Sequence, residues 1–458
     1  MDQKQISREI YRLIVPILLE NMLQTLAGLI STAMIGRLLS SDISAQGICL
    51  RITDTLWYLY KGLSVGTTVL VSYRYGSGQR GQCRRAVEQA MLCTVPLALV
   101  FSAFFFIAPE LPLRFFTQDA EIGTKALEFM KIMRLGFPFA ALMCINTAAF
   151  HGHGNTRTPM MIAVAVNAVN VACGYVFIYG AFGAPAMGVR GAALALVVSQ
   201  VTGACLGLAL LYHPRGLLYG EDAGKRFFVV DWKLAKEVYA TGLPVACESI
   251  MWQISAILVS KIVLTYGSDC FAAYQLGLQG EAIFEMPSVG FSTAATSLAS
   301  KALGMRDDGL FKAYFRQLVK SASIISLFTS AGLLVAPGFV MRLLTDKPEL
   351  QAIGTGYLFI MGFMQLPQNL SQVFNGTIRS AGYKNVPMRV VFTGIWIIRI
   401  PLILLFAYVL KWDILFVWVA MGLDQFSRCI LSGLFYRHKK IGDSVLRLPP
   451  QEQEALRA

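Results

Sequence analysis

Residues 89–109 read QAMLCTVPLALVFSAFFFIAP, 21 consecutive positions without a charged side chain. As a helix rising 1.5 Å per residue, this run covers ~30 Å, the thickness of a bilayer's hydrocarbon layer. Leu135 to Thr156, Ser321 to Met341 and Leu350 to Ile378 are equally uncharged, and no single water-soluble core needs four such segments. The whole chain points the same way: 55% of its 458 residues are hydrophobic and 15% are charged, whereas a soluble domain devotes about a quarter to charge. Breaks at charged or Gly/Pro-rich stretches predict twelve membrane spans, near 9–36, 43–73, 88–108, 123–150, 158–182, 188–212, 236–266, 271–301, 314–337, 350–378, 386–410 and 412–437. The expected fold class is therefore an all-α polytopic membrane protein.

The net charge of +13 follows from loop bias. With the amino terminus inside, 26 of the 40 Lys and Arg lie in or beside seven cytoplasmic segments, and seven lie on the opposite face. This asymmetry predicts that both termini are cytoplasmic. Basic residues scattered over seven segments make no continuous nucleic-acid surface. The nine cysteines fall mostly inside spans and form no Cys-x-x-Cys pair, so they read as small buried apolar residues. Met1 to Asn21 mixes acids with bases and lacks a small-residue cleavage site, so the first span is expected to stay in the mature protein.

A shift of 228 positions maps the first half onto the second. It pairs Pro16 with Pro244, Glu20 with Glu248, Ala45 with Ala273, Gly62 with Gly290, Ser72 with Ser300 and Gly76 with Gly304. It then pairs Ala108-Pro109 with Ala336-Pro337, Arg114 with Arg342, Thr117 with Thr345, Gly154 with Gly382 and Pro159-Met160 with Pro387-Met388. Six spans per half is an even number, so the halves are expected to be parallel repeats, 1–229 and 230–458, related by a pseudo-two-fold axis along the membrane normal. The basic loop from His213 to Lys236 would tether them.

Pro16 to Gly36 (PILLENMLQTLAGLISTAMIG), the Ser72–Gly76 stretch with its Ser300–Gly304 copy, and the Gly154–Pro159 and Gly382–Pro387 pair resemble the multidrug and toxic compound extrusion (MATE) family. The resemblance runs along almost the whole chain. It implies a V-shaped, two-lobed exporter that exchanges small, often cationic, organic compounds for inward Na⁺ or H⁺. The protein is expected in the cell's inner membrane and, because two such bundles would complete a cleft within one chain, to work as a monomer, without a cofactor.

Glu20 and Glu248 each follow a proline by four positions and sit ~18 Å into their spans, near the midplane. A buried carboxylate there must hold a proton, bind a cation or pair with a base. Each proline also leaves a carbonyl, that of Arg12 or Ala240, without its helical donor. Glu281 and Glu285 are four apart, hence on one face of the eighth span, where they could share a proton. Arg399 lies at similar depth and could neutralise them. Glu20, Glu248, Glu281, Glu285 and Asn170 are thus the candidates for ion or proton coupling, and Gln24, Trp252, Gln368 and Arg399 for contact with substrate. Trp252 shares a helical stripe with Glu248, a face that could receive an organic cation, although such stripes more often serve packing. Against the family pattern, Ser31 stands where many relatives carry an aspartate and Gly174 where some carry another. Asn170 fits an asparagine position, and Gln368 occupies one that is acidic in certain Na⁺-coupled members.

Arg51 with Asp54, Glu128 with Lys131 and Asp424 with Arg428 have spacings that permit local pairing. Gly76 to Gly81 (GSGQRG) fits a dinucleotide-binding pattern but follows a hydrophobic helix without a βαβ unit. His151 and His153 lie two apart in a Gly-rich stretch with no further ligand at metal spacing. No phosphate-cradling Gly-Lys-Ser/Thr loop occurs, so an ion gradient is the expected energy source. A flippase for lipid-linked sugars is the alternative reading and would need a larger cationic cleft. A membrane-embedded enzyme would need a nucleophile, base or metal set at one depth, and none is evident.

Overall fold

The structure is a computed structural model that describes residues 3–35, 40–116, 119–183, 185–214, 216–219 and 229–441. In chain order its helices are α1 (Gln3–Ile35), α2 (Ser40–Gly76), α3 (Arg80–Ile107), α4 (Glu110–Phe116), α5 (Ala120–Met133), α6 (Phe137–Gly152), α7 (Arg157–Tyr179) and α8 (Val189–Tyr212). The second half supplies α9 (Trp232–Leu264), α10 (Ser268–Gly304), α11 (Asp308–Val335), α12 (Pro337–Leu344), α13 (Pro348–Ser380), α14 (Val386–Phe392), α15 (Ile400–Leu404) and α16 (Ile414–His438). One 3₁₀ turn, Arg134–Gly136, joins α5 to α6 into a single crossing. Two π-helical segments, Thr393–Arg399 and Leu405–Val409, make another crossing of α14 and α15. Setting aside the short α4 and α12, twelve crossings remain, matching the twelve predicted spans.

Among the described residues, nine crossings are long and apolar enough to span a membrane on length and composition alone. The other three, α2, α10 and α13, have 37, 37 and 33 residues and are more polar. Of these, α10 carries Glu281 and Glu285 and α13 carries Arg379, charged groups considered below. A helix satisfies its own backbone hydrogen bonds, so it can afford such groups only where protein covers them.

The repeat reaches the level of helix ends. Shifted by 228, α2 becomes α10 and α3 becomes α11, while the Ala120–Gly152 crossing becomes α13, each end to end. Internal bonds repeat as well: Ser72 Oγ donates to the Gly152 carbonyl at 2.9 Å, and Ser300 Oγ donates to Ser380 Oγ at 2.9 Å. Thr117 and the 220–228 part of the tether lie outside the described residues.

Two compact units form, and they do not follow the 229/230 division. The amino-terminal unit is Leu19–Ala246, and the carboxy-terminal unit is Met1–Leu18 with Cys247–Ala458. Both divisions fall inside a helix, two residues beyond Pro16 in α1 and two beyond Pro244 in α9. In the amino-terminal unit, Tyr60, Phe129 and Phe137 are fully buried in one core cluster. There α2 crosses the start of α9 through small residues: a Cβ at Gly66 would lie 2.0 Å from the Val238 carbonyl oxygen, and one at Gly242 would lie 2.3 Å from that of Leu63. Close backbone approach of this kind is how membrane helices gain packing energy without a hydrophobic driving force. The carboxy-terminal unit centres on Tyr274, Tyr357 and Trp418.

Candidate functional site

In the amino-terminal unit, Glu20 is 8% exposed. Its Oε2 stands 3.6 Å from His151 Nε2. His151 is not in a loop, as its Gly-rich surroundings suggested, but in the last turn of α6. The turn ends only beyond it, where Gly154 takes φ +81°. His153 points elsewhere, its ring edge-on to Tyr75 with centroids 4.3 Å apart. Farther along α1, Asn170 Nδ2 of α7 donates to Ser31 Oγ at 3.0 Å, and a Cβ on Gly174 would meet Met34 at 3.4 Å. Ser31, Asn170 and Gly174 are therefore near neighbours, as the family pattern implies, but carry no carboxylate among them. Gln24 is exposed on α1.

The carboxy-terminal unit gathers seven charged side chains from five crossings. Glu248 of α9 accepts two hydrogen bonds from Arg379 Nη2 of α13, at 3.3 and 3.2 Å. Asp424 of α16, 0% exposed across its side chain, accepts from Arg399 at 2.8 Å and from Arg428 Nε at 2.8 Å. Glu281 and Glu285 follow each other by one turn of α10. Glu281 accepts from the Tyr357 hydroxyl of α13, and Glu285 Oε1 accepts from Gln368 Nε2 at 2.6 Å. Tyr357 belongs to an aromatic box with Tyr274 and Trp418, whose rings lie 5.1 to 5.6 Å apart. These are four carboxylates against three guanidiniums, so the cluster holds one surplus negative charge when every group is ionised.

Local geometry explains the approach of Asp424. Its neighbour in the π-helical stretch is Gly394, where a Cβ would fall 2.2 Å from Asp424 Oδ1. Wider π turns interrupt the regular ladder and commonly mark sites of function. Pro401 also removes a backbone donor from this crossing.

Several sequence expectations change. Arg399 neutralises Asp424, not the glutamates of α10, because α16 supplies a carboxylate closer to it. The Trp252 ring faces the protein's own cations: the Cζ atoms of Arg399 and Arg428 both lie 4.7 Å from its centroid. Such contacts are themselves cation–π attractions, so this ring is occupied. Glu128 pairs with Arg190 across the α5–α8 contact in place of Lys131, whereas Asp424 and Arg428 do pair at their helical spacing. Arg379 was missed because the predicted span stops at 378; in the structure it is the penultimate residue of α13 and buried. His151 was missed because neighbouring glycines read as a loop.

The family profile MatE matches residues 16–176 and 244–405. A Thermotoga maritima protein named probable multidrug resistance protein NorM is 26% identical over 436 residues, spanning 94% of this chain and 92% of its own. Multidrug resistance protein MdtK of Yersinia enterocolitica is 25% identical over 406 residues, 86% of each chain. Two solved structures share the fold: a MOP superfamily transporter from Pyrococcus furiosus described as having a binding pocket of reverse polarity, and a multidrug resistance MATE family transporter in an outward-facing conformation. The first is 18% identical with a TM-score of 0.88 over 97% of both chains, the second 17% identical with a TM-score of 0.88 over 97% of both.

Proposed function

The chain belongs to the MATE family, and on that premise we propose that it is a cation-coupled antiporter that exports small organic cations while H⁺ or Na⁺ runs inward. It is a multi-pass membrane protein of a family that transports small molecules. Its residence in the inner membrane with both termini cytoplasmic, and its action as a monomer, are part of the same proposal. The transported ion is cargo; no resident cofactor is invoked.

One observation carries the reading: the surplus carboxylate of the carboxy-terminal cluster. An unbalanced charge in a low-dielectric interior is costly, so the cluster draws in one positive charge. A proton or Na⁺ can supply it, and so can an organic cation, which makes the two ligands alternatives for one place. Glu281 and Glu285 are the groups without a guanidinium in direct contact, and we assign them to the exchange. Glu20 with Asn170 is the corresponding assignment in the amino-terminal unit. The three buried arginines would suit the phosphate of a lipid-linked sugar only if uncovered, and Glu248 and Asp424 cover them, which counts against a flippase.

The test is efflux of ethidium from proteoliposomes under an imposed inward gradient of H⁺ or of Na⁺. Wild type is expected to respond to one of them. Replacing Glu281 or Glu285 with Gln removes the surplus charge and is expected to lower gradient-driven efflux about 5- to 150-fold, the range of coupling free energies of roughly 1–3 kcal/mol. Wild-type efflux indifferent to both gradients would end the antiport reading.

A further inference from the structure

Applying the 228-residue shift to the two buried acid–base pairs gives an unexpected match: Glu20 corresponds to Glu248, and His151 corresponds to Arg379. The same pair therefore occurs once in each unit, joining the first crossing of a repeat to its fourth. In the carboxy-terminal unit the base is a guanidinium, which stays charged at any pH the protein meets. In the amino-terminal unit it is an imidazole, the side chain whose charge ordinarily changes between about pH 5 and 8. We propose that the Glu20–His151 pair is a proton-binding site, the switchable counterpart of the fixed Glu248–Arg379 pair. This rests on the coupling reading above and narrows its ion to H⁺ for the amino-terminal unit.

The geometry suits the role. Glu20 Oε2 and His151 Nε2 face each other at 3.6 Å, beyond direct hydrogen-bond length. A proton arriving from water on Nε2 turns this contact into an ion pair and draws α1 toward α6; its departure to water leaves the Glu20 carboxyl facing a neutral imidazole. Among the described residues, the ionisable groups in the same field include Lys61 of α2 and the Cys144 thiol of α6, which lies within electrostatic reach of both Glu20 and Lys61, with Tyr60 of α2 beside Cys144. Around His151 itself, α2 offers hydroxyls: Thr68 and Ser72 bond the carbonyls of Ala148 and Gly152.

The experiment uses the full chain in detergent and follows tetraphenylphosphonium binding between about pH 5 and 8, together with histidine magnetic resonance. The chain has four histidines, so the His151 signal can be assigned by difference from His151→Gln. Wild type is expected to change affinity roughly 5- to 150-fold across the range, in step with the His151 signal. His151→Arg copies the arrangement of the other unit, which makes it the variant suited to fold, and its binding should be flat with pH. The reciprocal Arg379→His should add a second transition. A His151→Arg protein that elutes as a folded monomer with the wild-type pH profile would overturn the inference, as would a His151 signal that does not titrate. Wild-type transport driven by Na⁺ alone would also overturn it while leaving antiport intact, whereas a wild type indifferent to both ions removes antiport itself.

Discussion

Asp424→Asn is expected to destabilise the protein by about 3–5 kcal/mol, the cost of removing one partner from a buried ion cluster. Asp424 accepts from both Arg399 and Arg428, and all three side chains are buried. Losing the carboxylate leaves two guanidiniums beside each other in a medium that cannot solvate them. Removing a charge from both signs together should be much milder. Asp424→Asn combined with Arg428→Met restores the count of carboxylates over guanidiniums to one and leaves a single arginine to satisfy. The measurement is the midpoint of thermal unfolding in detergent. A single variant that melts within a degree of wild type would show that the cluster is open to water, contrary to its burial.

The second large effect is steric. Gly66→Ala is expected to cost about 3 kcal/mol or more, the upper range for overpacking, because its new methyl would sit 2.0 Å from the Val238 carbonyl oxygen. That oxygen belongs to a helix backbone and cannot swing aside. Gly62→Ala should be similar in kind, with its Cβ 2.6 Å from the Ala246 Cα. The repeat supplies the control. Gly290, the counterpart of Gly62, would place a Cβ 3.3 Å from the Ile14 Cγ2 methyl, and the counterpart of Gly66 is already alanine, Ala294. Gly290→Ala should therefore cost far less than Gly62→Ala, since a side chain and not a backbone has to give way. Equal losses at Gly62 and Gly290, measured by thermal unfolding of each variant, would refute the contrast.

These sites show what a sequence can and cannot convey. Span positions, the repeat and the shared face of Glu281 and Glu285 all follow from order along the chain, because hydrophobicity and the 3.6-residue turn act locally. Partners across helices do not. Arg399 found Asp424, Glu128 found Arg190 and Glu20 found His151, and each choice depends on which crossings pack together. Arg379 shows a subtler failure: a charge normally ends a span, so reading stops where the structure in fact buries it against Glu248. The repeat holds part of that information: the 228 shift pairs His151 with Arg379 as it pairs Glu20 with Glu248, and packing then brings each base to its glutamate.

The division of the compact units inside α1 and α9 has a practical consequence. Each unit incorporates the leading stretch of the other repeat's first helix: Met1–Leu18 belongs with Cys247–Ala458, and the start of α9 belongs with Leu19–Ala246. Neither sequence repeat, cut out at 229/230, would contain all the pieces of a finished bundle. Halves cut at 229/230 are therefore expected to give folded protein when expressed together and little when either is expressed alone.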